Sequence, residues 1–317
     1  MKIGIALSGG GIRGIAHAGV LKALEENNIK IDIIGGTSAG GMVASLYAMG
    51  IEPEMIHTLF KKYAKEIIGA NKMPFLSKLL KYSFSKKVTL TGFNNGESIE
   101  KIYNKIAKEQ DIEKINQIQM PLVITTVDIM KPKEYIFTNN IPKDEEDKSK
   151  YIKDITVGKA VRASSSFPAV FMPCKVDEYA FMDGGVLDNV PVEEVRKQGA
   201  DKVLAVKFDA DKIEKDSNLM DIAMKTIDIM GNKISEEGLK KSDYVLNVYT
   251  DKVGLLDIQK LDKCYEYGYQ SVIKNLDEIK KAMQLWLSCI AFFYYFSSTF
   301  SIVSFFTNNE YINIPKP

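Results

Sequence analysis

The segment Gly36–Gly40 reads Gly-Thr-Ser-Ala-Gly and places one serine in a G-x-S-x-G pentapeptide. It follows the apolar run 31–35 and precedes the helix-like stretch 41–49, so we expect a turn from a strand into a helix. A serine on such a turn exposes its Oγ at the positive end of the helix, where it can act as a nucleophile in acyl transfer. Ser38 is therefore the candidate nucleophile, and Gly36 and Gly40 would form the elbow because strand and helix approach closely there.

A second glycine motif, Gly9–Gly14, follows a strand-like run at 2–7 and leads into a helix-like stretch at 15–26. It fits G-x-G-x-x-G, so a dinucleotide-binding site is one interpretation. That site needs an acidic residue at the end of the second strand, whereas Asp32 stands at its start. A bare glycine loop can instead direct backbone N–H groups at a developing oxyanion. The nucleophile on the neighbouring strand favours the oxyanion hole.

A third motif lies at the end of the short apolar strand 179–183, where Asp183 is followed by Gly184 and Gly185. Such a sequence is often only a turn. It gains interest because the chain has two histidines, both poor candidates for a base. His57 belongs to a helix start away from the motifs, and His17 is expected to pack inside its helix. A desolvated carboxylate can activate a serine directly, since burial raises its affinity for a proton.

The motifs G-G-G-x-R-G, G-T-S-A-G and D-G-G, in this order, resemble the patatin-like phospholipase family of lipid acyl hydrolases. The segments 160–169 and 171–173 resemble the middle block of that family, and the resemblance covers roughly residues 1–281. It implies an α/β fold, a three-layer α/β/α sandwich with a mostly parallel central sheet. It also implies a catalytic dyad of Ser38 and Asp183 without histidine, and chemistry that needs no metal and no cofactor.

The same resemblance, together with the position of the elbow, implies an oxyanion hole next to Ser38. Its residues would be Gly9, Gly10, Gly11, Arg13, Gly14 and Ala39. The charge of Arg13 would orient the loop or stabilise the anion, with pairing to a structural carboxylate as the alternative. No cluster of His, Cys, Asp and Glu has the spacing of a metal site.

Composition narrows the class of protein further. At 317 residues with 45% hydrophobic content, the chain can bury a full core as a single domain, and a net charge of +1 gives no argument for nucleic acid. Three widely spaced cysteines, Cys174, Cys264 and Cys289, favour a reducing compartment. The apolar start is too short for a signal peptide, so we expect a cytoplasmic protein.

Apolar periodicity predicts alternating strands and helices and hence a largely parallel sheet covered on both faces. The predicted strands are 2–8, 31–36, 121–127, 134–138, 203–208 and 244–248. The predicted helices are 14–27, 39–49, 53–67, 97–109, 190–198, 219–231 and 260–281.

Two segments suggest contact with a membrane surface. Residues Gly69–Gly96 carry lysines among aromatic and leucine residues and no acidic residue, which suits a flap on an anionic lipid surface or an ordinary helix with a solvated face. Residues Ala282–Phe306 contain no charge and reach the length of about 20 residues that spans a bilayer. We predict an acyl hydrolase domain at 1–281 and an apolar tail at 282–317. The sequence allows three interpretations of this tail: a membrane anchor, an apolar helix docked on the domain, or an extension outside the family domain.

The sequence thus predicts a serine acyl hydrolase acting on fatty-acyl esters of phospholipids or related lipids. One alternative is a broad carboxylesterase or acyltransferase that uses the same serine. The other is a nucleotide- or lipid-binding module whose serine is idle.

Overall fold

The computed structural model describes residues 1–68, 94–168, 170–209, 219–251, 253–254 and 257–285. The strands are β1 (Ile3–Leu7), β2 (Ile33–Thr37), β3 (Leu122–Asp128), β4 (Lys133–Thr138), β5 (Tyr151–Ile152), β6 (Cys174–Val176), β7 (Tyr179–Asp183), β8 (Lys202–Phe208) and β9 (Tyr244–Val248). The helices are α1 (Ala16–Glu26), α2 (Ala39–Ala48), α3 (Pro53–Ile68), α4 (Glu97–Glu109), α5 (Val157–Ser164), α6 (Val192–Lys197), α7 (Leu219–Ile234), α8 (Glu236–Leu239), α9 (Leu261–Lys274) and α10 (Leu276–Ala282).

The strands form one mixed sheet in the order β5-β4-β3-β2-β1-β8-β9, with β7 and β6 branching from β3. The central pairs β3–β2, β2–β1, β1–β8 and β8–β9 are parallel, while β4 and β7 run antiparallel to β3. The carboxyl ends of β1 and β2 therefore lie side by side at one edge of the sheet. This edge carries the turns that follow Leu7 and Thr37.

Both faces of the sheet are covered by helices. Alternate side chains of β1 show this, because Ile5 and Leu7 belong to the large core under α1 and α2, whereas Ala6 packs in a second core with Val195 of α6. A strand buried on both faces must be apolar at every position, which is the pattern of β1 in the sequence. The result is the three-layer α/β/α sandwich with a mostly parallel sheet that the sequence predicts.

The predicted strands and helices are confirmed, with ends that differ by a few residues, and the predicted helix 260–281 is divided into α9 and α10 at Asn275. Periodicity did not predict α5. Its start carries a local signal, since the Thr156 side chain accepts a hydrogen bond from the backbone N–H of Lys159 and caps the helix. The short strands β5 and β6 were also missed, because two or three residues carry too little pattern.

The lysine-bearing segment Gly69–Gly96, called the basic segment below, lies outside the described residues up to residue 93, and the tail lies outside them beyond residue 285. The predicted contact of each with a membrane therefore stays a prediction. Where the tail begins, Met283 is fully buried in the main core and Leu285 packs against it. The folded core thus continues past Lys281, and a truncation meant to spare it must retain Leu285. Within the described part of the chain, no helix combines the length and apolarity needed to cross a bilayer.

Candidate active site

Ser38 stands on the turn between β2 and α2 with φ of 53° and ψ of −121°, in the left-handed region that non-glycine residues rarely adopt. Its backbone N–H donates to Ser164 Oγ at 2.9 Å, which helps to hold the strained turn. A Cβ on Gly36 would lie 2.3 Å from the carbonyl carbon of Gly40, and a Cβ on Gly40 would lie 2.3 Å from the Leu7 carbonyl oxygen. Both elbow glycines are therefore required by close approach of backbone to backbone.

The register of the sheet brings Asp183 to the same place. Thr37 pairs with Thr125 across β2 and β3, and the next residue of β3, Thr126, pairs with Asp183 at the end of β7. Neighbouring strands lie about 4.8 Å apart, so the residue after Thr37 and the last residue of β7 must meet at the edge of the sheet. β3 thus changes partner from β2 to β7 at the point where β2 and β7 themselves end.

The carboxyl group of Asp183 is buried, with 3% of the residue exposed. Burial raises its pKa from 3.8 to about 6, an effect that the Ser38 hydroxyl and the Gly185 N–H partly offset by stabilising the carboxylate. Oδ1 accepts the Gly185 N–H at 2.9 Å, while the nearby Ser38 hydroxyl makes no hydrogen bond of ordinary length and angle to Oδ2, which has no partner among the described residues. Oδ2 is the oxygen with capacity left to accept a proton.

A buried set of hydroxyl contacts supports the elbow from behind. Thr37 Oγ1 lies 2.6 Å from Thr125 Oγ1 and donates to the Asp188 carbonyl oxygen at 3.0 Å. These contacts tie the residue before Ser38 to the loop that follows Asp183. The two halves of the site are therefore joined by side chains as well as by the sheet.

The glycine loop lies against the elbow, but its N–H groups are not equivalent. The Gly9 N–H donates to both the backbone oxygen and the side-chain Oδ1 of Asn189, at 3.2 and 3.1 Å. Gly9 therefore shapes the loop in this structure, where its N–H is already engaged, and its donation to an oxyanion stays a prediction. The N–H groups of Gly10, Gly11 and Ala39 have no acceptor among the described residues, which leaves these three available to a bound anion.

Two further residues of the predicted oxyanion hole have structural roles. Arg13 is almost fully buried, with its Nε donating to the Gly10 carbonyl oxygen at 3.3 Å and its Nη2 to Asp228 Oδ1 at 3.0 Å. Arg13 thus bonds the glycine loop and pairs with a carboxylate of α7, which is the alternative that the sequence offered to direct stabilisation of the anion, and its part in an oxyanion hole stays a prediction. Gly14 permits close packing, because a Cβ there would lie 2.4 Å from the Cβ of Ala39.

Neither histidine is arranged as a base for Ser38. His17 is fully buried, its Nε2 donates to the Ser8 carbonyl oxygen at 2.8 Å, and burial lowers its pKa to about 4. His57 contacts Asp262 at 2.9 Å and stacks on Tyr265. The expectation that both serve packing or surface contacts is confirmed.

The elbow, the glycine loop and Asp183 all open onto one cavity of about 120 Å³. Its remaining wall is mostly apolar and comes from α2, α3, α4, α7 and the segment after α5: Met42, Phe60, Ala64, Ile67, Ile99, Phe167, Pro168, Val170, Phe171 and Ile227. Such a wall suits a hydrocarbon chain, and Ser38, Asp183 and the glycine loop bring polar groups to the same cavity. No group of His, Cys, Asp or Glu among the described residues is arranged to hold a metal ion.

The dinucleotide interpretation does not fit this geometry. Asp32 Oδ2 accepts the N–H of Ile3 at 3.0 Å and so lies at the amino ends of β1 and β2. The glycine loop leaves the carboxyl end of β1, and the carboxyl end of β2 carries Ser38 instead of an acidic residue. The ribose contact of a dinucleotide site is therefore missing from its required place.

The fold and the site together define a class, an α/β protein whose strained serine turn faces an apolar cavity beside a buried carboxyl group. The family model described as Patatin-like phospholipase matches residues 5–196, and the chain belongs to this family. All three motifs lie inside the matched range. The predicted family is thus confirmed.

Curated relatives include proteins named Lysophospholipase NTE1. The chain is 28% identical to that of Lodderomyces elongisporus over 312 residues, covering 89% of this chain and 20% of the relative, and 28% identical to that of Candida albicans over 293 residues, covering 84% and 19%. This chain therefore spans a fifth or less of the length of these relatives. Among solved structures, the ExoU–SpcU complex of Pseudomonas aeruginosa matches with a TM-score of 0.49 and 22% identity, covering 88% of this chain and 51% of that one. VipD of Legionella pneumophila matches with a TM-score of 0.46 and 15% identity, covering 87% and 67%.

Several residues that shape the site were not predicted. Asn189 holds Gly9, Ser164 holds the Ser38 N–H, Asp228 holds Arg13, and a Cβ on Gly10 would lie 2.5 Å from the ring of Phe208. Ser164 lies in the middle block that resembles the family, which is the one available signal. The other contacts join residues far apart in the sequence, and no local pattern marks them.

Proposed function

We propose that this protein is a serine acyl hydrolase that cleaves the fatty-acyl esters of phospholipids or lysophospholipids through a dyad of Ser38 and Asp183. Family membership supports a lipid ester hydrolase, and the name of the curated relatives, lysophospholipase, supports a substrate with a single acyl chain. The observation that carries the proposal is the placement of a buried carboxyl group beside a strained serine, both in the lining of a mostly apolar cavity.

In the first half-reaction, Ser38 Oγ attacks the ester carbonyl carbon while Asp183 Oδ2 accepts the hydroxyl proton. The carbonyl oxygen becomes an oxyanion that the N–H groups of Gly10, Gly11 and Ala39 stabilise. The positive end of α2 lies at the same point and favours negative charge there. The tetrahedral intermediate collapses, Asp183 returns the proton to the leaving alcohol, and the acyl group remains on Ser38.

In the second half-reaction, a water molecule attacks the acyl-enzyme while Asp183 accepts one of its protons. Collapse of the new intermediate releases the fatty acid and returns the proton to Ser38 Oγ. A pKa near 6 suits this double role, because the carboxyl group is mostly ionised at neutral pH and still has appreciable affinity for a proton. Turnover should therefore rise with pH through about 6 and then level off.

A fluorophosphonate probe tests the nucleophile directly. We expect the wild-type protein to be labelled on Ser38, with Ser38→Ala unlabelled and inactive. Ser45→Ala is the matched control, since Ser45 is a buried serine of α2, the helix that follows Ser38, and donates to the Met42 carbonyl oxygen; this variant should be labelled normally. Labelling of a different residue, or lysophospholipid hydrolysis that survives in Ser38→Ala, would refute the proposal.

The dyad is tested against a triad by His17→Ala. This variant should hydrolyse a short-chain ester at a substantial rate per folded molecule, since His17 is neutral, buried and bonded to Ser8. A folded His17→Ala protein as inactive as Ser38→Ala would show that the base is a histidine.

A further inference from the structure

The outer face of α7 exposes an unusual concentration of large apolar side chains. Ile222, Ile229, Met230 and Ile234 are between 42% and 56% exposed, although the helix is part of the folded domain. Their spacing places them on one side of the helix. Clustered apolar exposure of this kind marks a surface that binds a partner, whereas single exposed residues need no explanation. We call these four residues, together with Leu187, the α7 face.

The inner side of the same helix belongs to the candidate active site. Ile227, Asp228 and Gly231 line the cavity, and Asp228 pairs with Arg13 of the glycine loop. A Cβ on Gly231 would lie 3.2 Å from the Gly185 carbonyl oxygen, so the helix rests directly on the turn after Asp183. The helix that carries the α7 face is thus in direct contact with the glycine loop and with the turn after Asp183.

The α7 face also continues into the border of the cavity. Leu187 is 41% exposed and follows Val186, which lines the cavity. On the helix, Ile227 lines the cavity while Ile229 and Met230 point outward. Exposed apolar side chains of the α7 face thus adjoin, along the chain, residues that line the cavity on both the helix and the loop.

The polar groups described on this face are satisfied within the protein itself. Thr226 Oγ1 donates to the Ile222 carbonyl oxygen at 2.8 Å, and the Lys233 ammonium pairs with Glu236 at 2.6 Å. The polar groups described on this face are thus one hydroxyl bonded to its own helix and one exposed ion pair without net charge. Its complement is a neutral apolar phase, which favours the acyl region of a phospholipid layer over a polar protein surface.

We propose that the α7 face docks on a neutral phospholipid surface and turns the cavity mouth toward the acyl chains. The proposal rests on the proposed function, since it names the phase from which that site takes its substrate. Docking of this kind depends on apolar insertion, so it should be insensitive to salt, and it is separate from any contribution of the basic segment or the tail.

The test is quenching of a fluorophore by phosphatidylcholine vesicles whose acyl chains carry bromine. The fluorophore is attached to Met230→Cys in the full chain, with Ser38→Ala to prevent turnover and Cys289→Ser to remove that thiol; Cys174 and Cys264 are buried. Ile273→Cys is the matched control, because Ile273 is also exposed but lies at the opposite end of the sheet from Ser38. Its near neighbour in sequence, Asn275, accepts a hydrogen bond from the hydroxyl of Tyr244, the first residue of β9. Because turnover is absent, this result does not depend on whether Ser38 is the nucleophile.

We expect quenching at residue 230 to exceed that at residue 273 by about tenfold and to persist in high salt. Equal quenching at the two positions, or none at 230, would overturn the proposal. If the fluorophore at residue 230 is shielded from solvent in the absence of vesicles, the proposal is also overturned. In that case, a molecular mass of the protein that rises with its concentration would identify a second copy of the chain as the occupant of the face. A constant mass would instead identify a segment of the same chain.

A hydrolysis assay gives a second, independent measurement. The variant Ile229→Ser/Met230→Ser should lose about tenfold in hydrolysis of vesicle lipid, since two large side chains no longer enter the apolar phase, while a soluble short-chain ester is cleaved at the wild-type rate. Ile273→Ser should change neither rate. Equal losses on both substrates would indicate damage to the site and would overturn the docking role.

Discussion

The pH dependence of stability provides the most discriminating test of Asp183. Its folded-state pKa of about 6 lies above the unfolded value of 3.8 because burial disfavours the carboxylate. Folding therefore favours the protonated form, so this contribution to stability is fully present below pH 3.8 and is lost as the pH rises through about 6. By linkage, the shift corresponds to about 3 kcal/mol at pH 8.

Asp183→Asn removes the charge with little change of shape. Its amide oxygen can still accept the Gly185 N–H, as Oδ1 does at 2.9 Å in the native protein. Because nothing ionised is then buried at this position, the variant should be more stable than the wild type at pH 8 by up to about 3 kcal/mol. The difference in free energy of unfolding between the variant and the wild type should decrease as the pH falls from about 6 to below 4, because Asp183 is then protonated in both the folded and the unfolded state. The variant should also be inactive, since an amide cannot accept the Ser38 proton.

The wild-type profile alone would not isolate this effect, because His17 opposes it, while Glu134 and Asp188, whose pKa values burial raises to about 7 and about 8, add to it. Burial lowers the pKa of His17 from 6.5 to about 4, so its contribution to stability is present above pH 6.5 and is lost as the pH falls toward 4. His17 and Asp183 act with opposite sign over nearly the same range. Subtracting the wild-type free energy of unfolding from that of Asp183→Asn cancels the other three groups and isolates Asp183.

The measurement is denaturant unfolding followed by circular dichroism at several pH values between 4 and 8. Ser38→Ala serves as the control, because it is inactive but retains the buried carboxylate and should not gain stability at pH 8. If Asp183→Asn is less stable than the wild type at pH 8, or if their difference does not change with pH, Asp183 is not a buried carboxylate with a raised pKa. The argument that it is tuned to act as a base would then fail.

Three other substitutions follow from the contacts of the site. Asn189→Leu removes the side-chain acceptor of the Gly9 N–H and should lower kcat for a short-chain ester by about tenfold or more, with little change in KM. The reason is that the loop donates to charge that forms only in the transition state. An increase confined to KM would contradict this prediction. Gly10→Ala should lower kcat by about a hundredfold, because the new Cβ would lie 2.5 Å from the ring of Phe208. Adding Phe208→Ala removes that ring and should restore part of the lost kcat. If the double variant shows no recovery, this clash is not the cause of the loss. His17→Gln should abolish a loss of stability of about 3 kcal/mol between pH 6.5 and 4 while retaining turnover, as measured by unfolding and esterase assays; an unchanged acid profile would mean that His17 is not buried in its neutral form.

Local sequence determined most of the elements of this protein. Strands buried on both faces require continuous apolar runs, and amphipathic helices require a 3.6-residue period, so both patterns are legible in the sequence. The turn chemistry is also local, because Gly36 and Gly40 are needed wherever a strand folds back tightly into a helix. Ser38 could therefore be identified as the candidate nucleophile without any knowledge of its neighbours in space.

Tertiary structure decided which residues act together. Asp183 reaches Ser38 because β3 pairs first with β2 and then with β7, and this change of partner is a matter of register. The use of the Gly9 N–H was decided by Asn189, which lies 180 residues away in the sequence. The pKa of Asp183 likewise depends on burial, a property of the assembled fold. Such contacts carry no period and no local motif, since each depends on the simultaneous packing of distant segments, and only the folded chain contains that information.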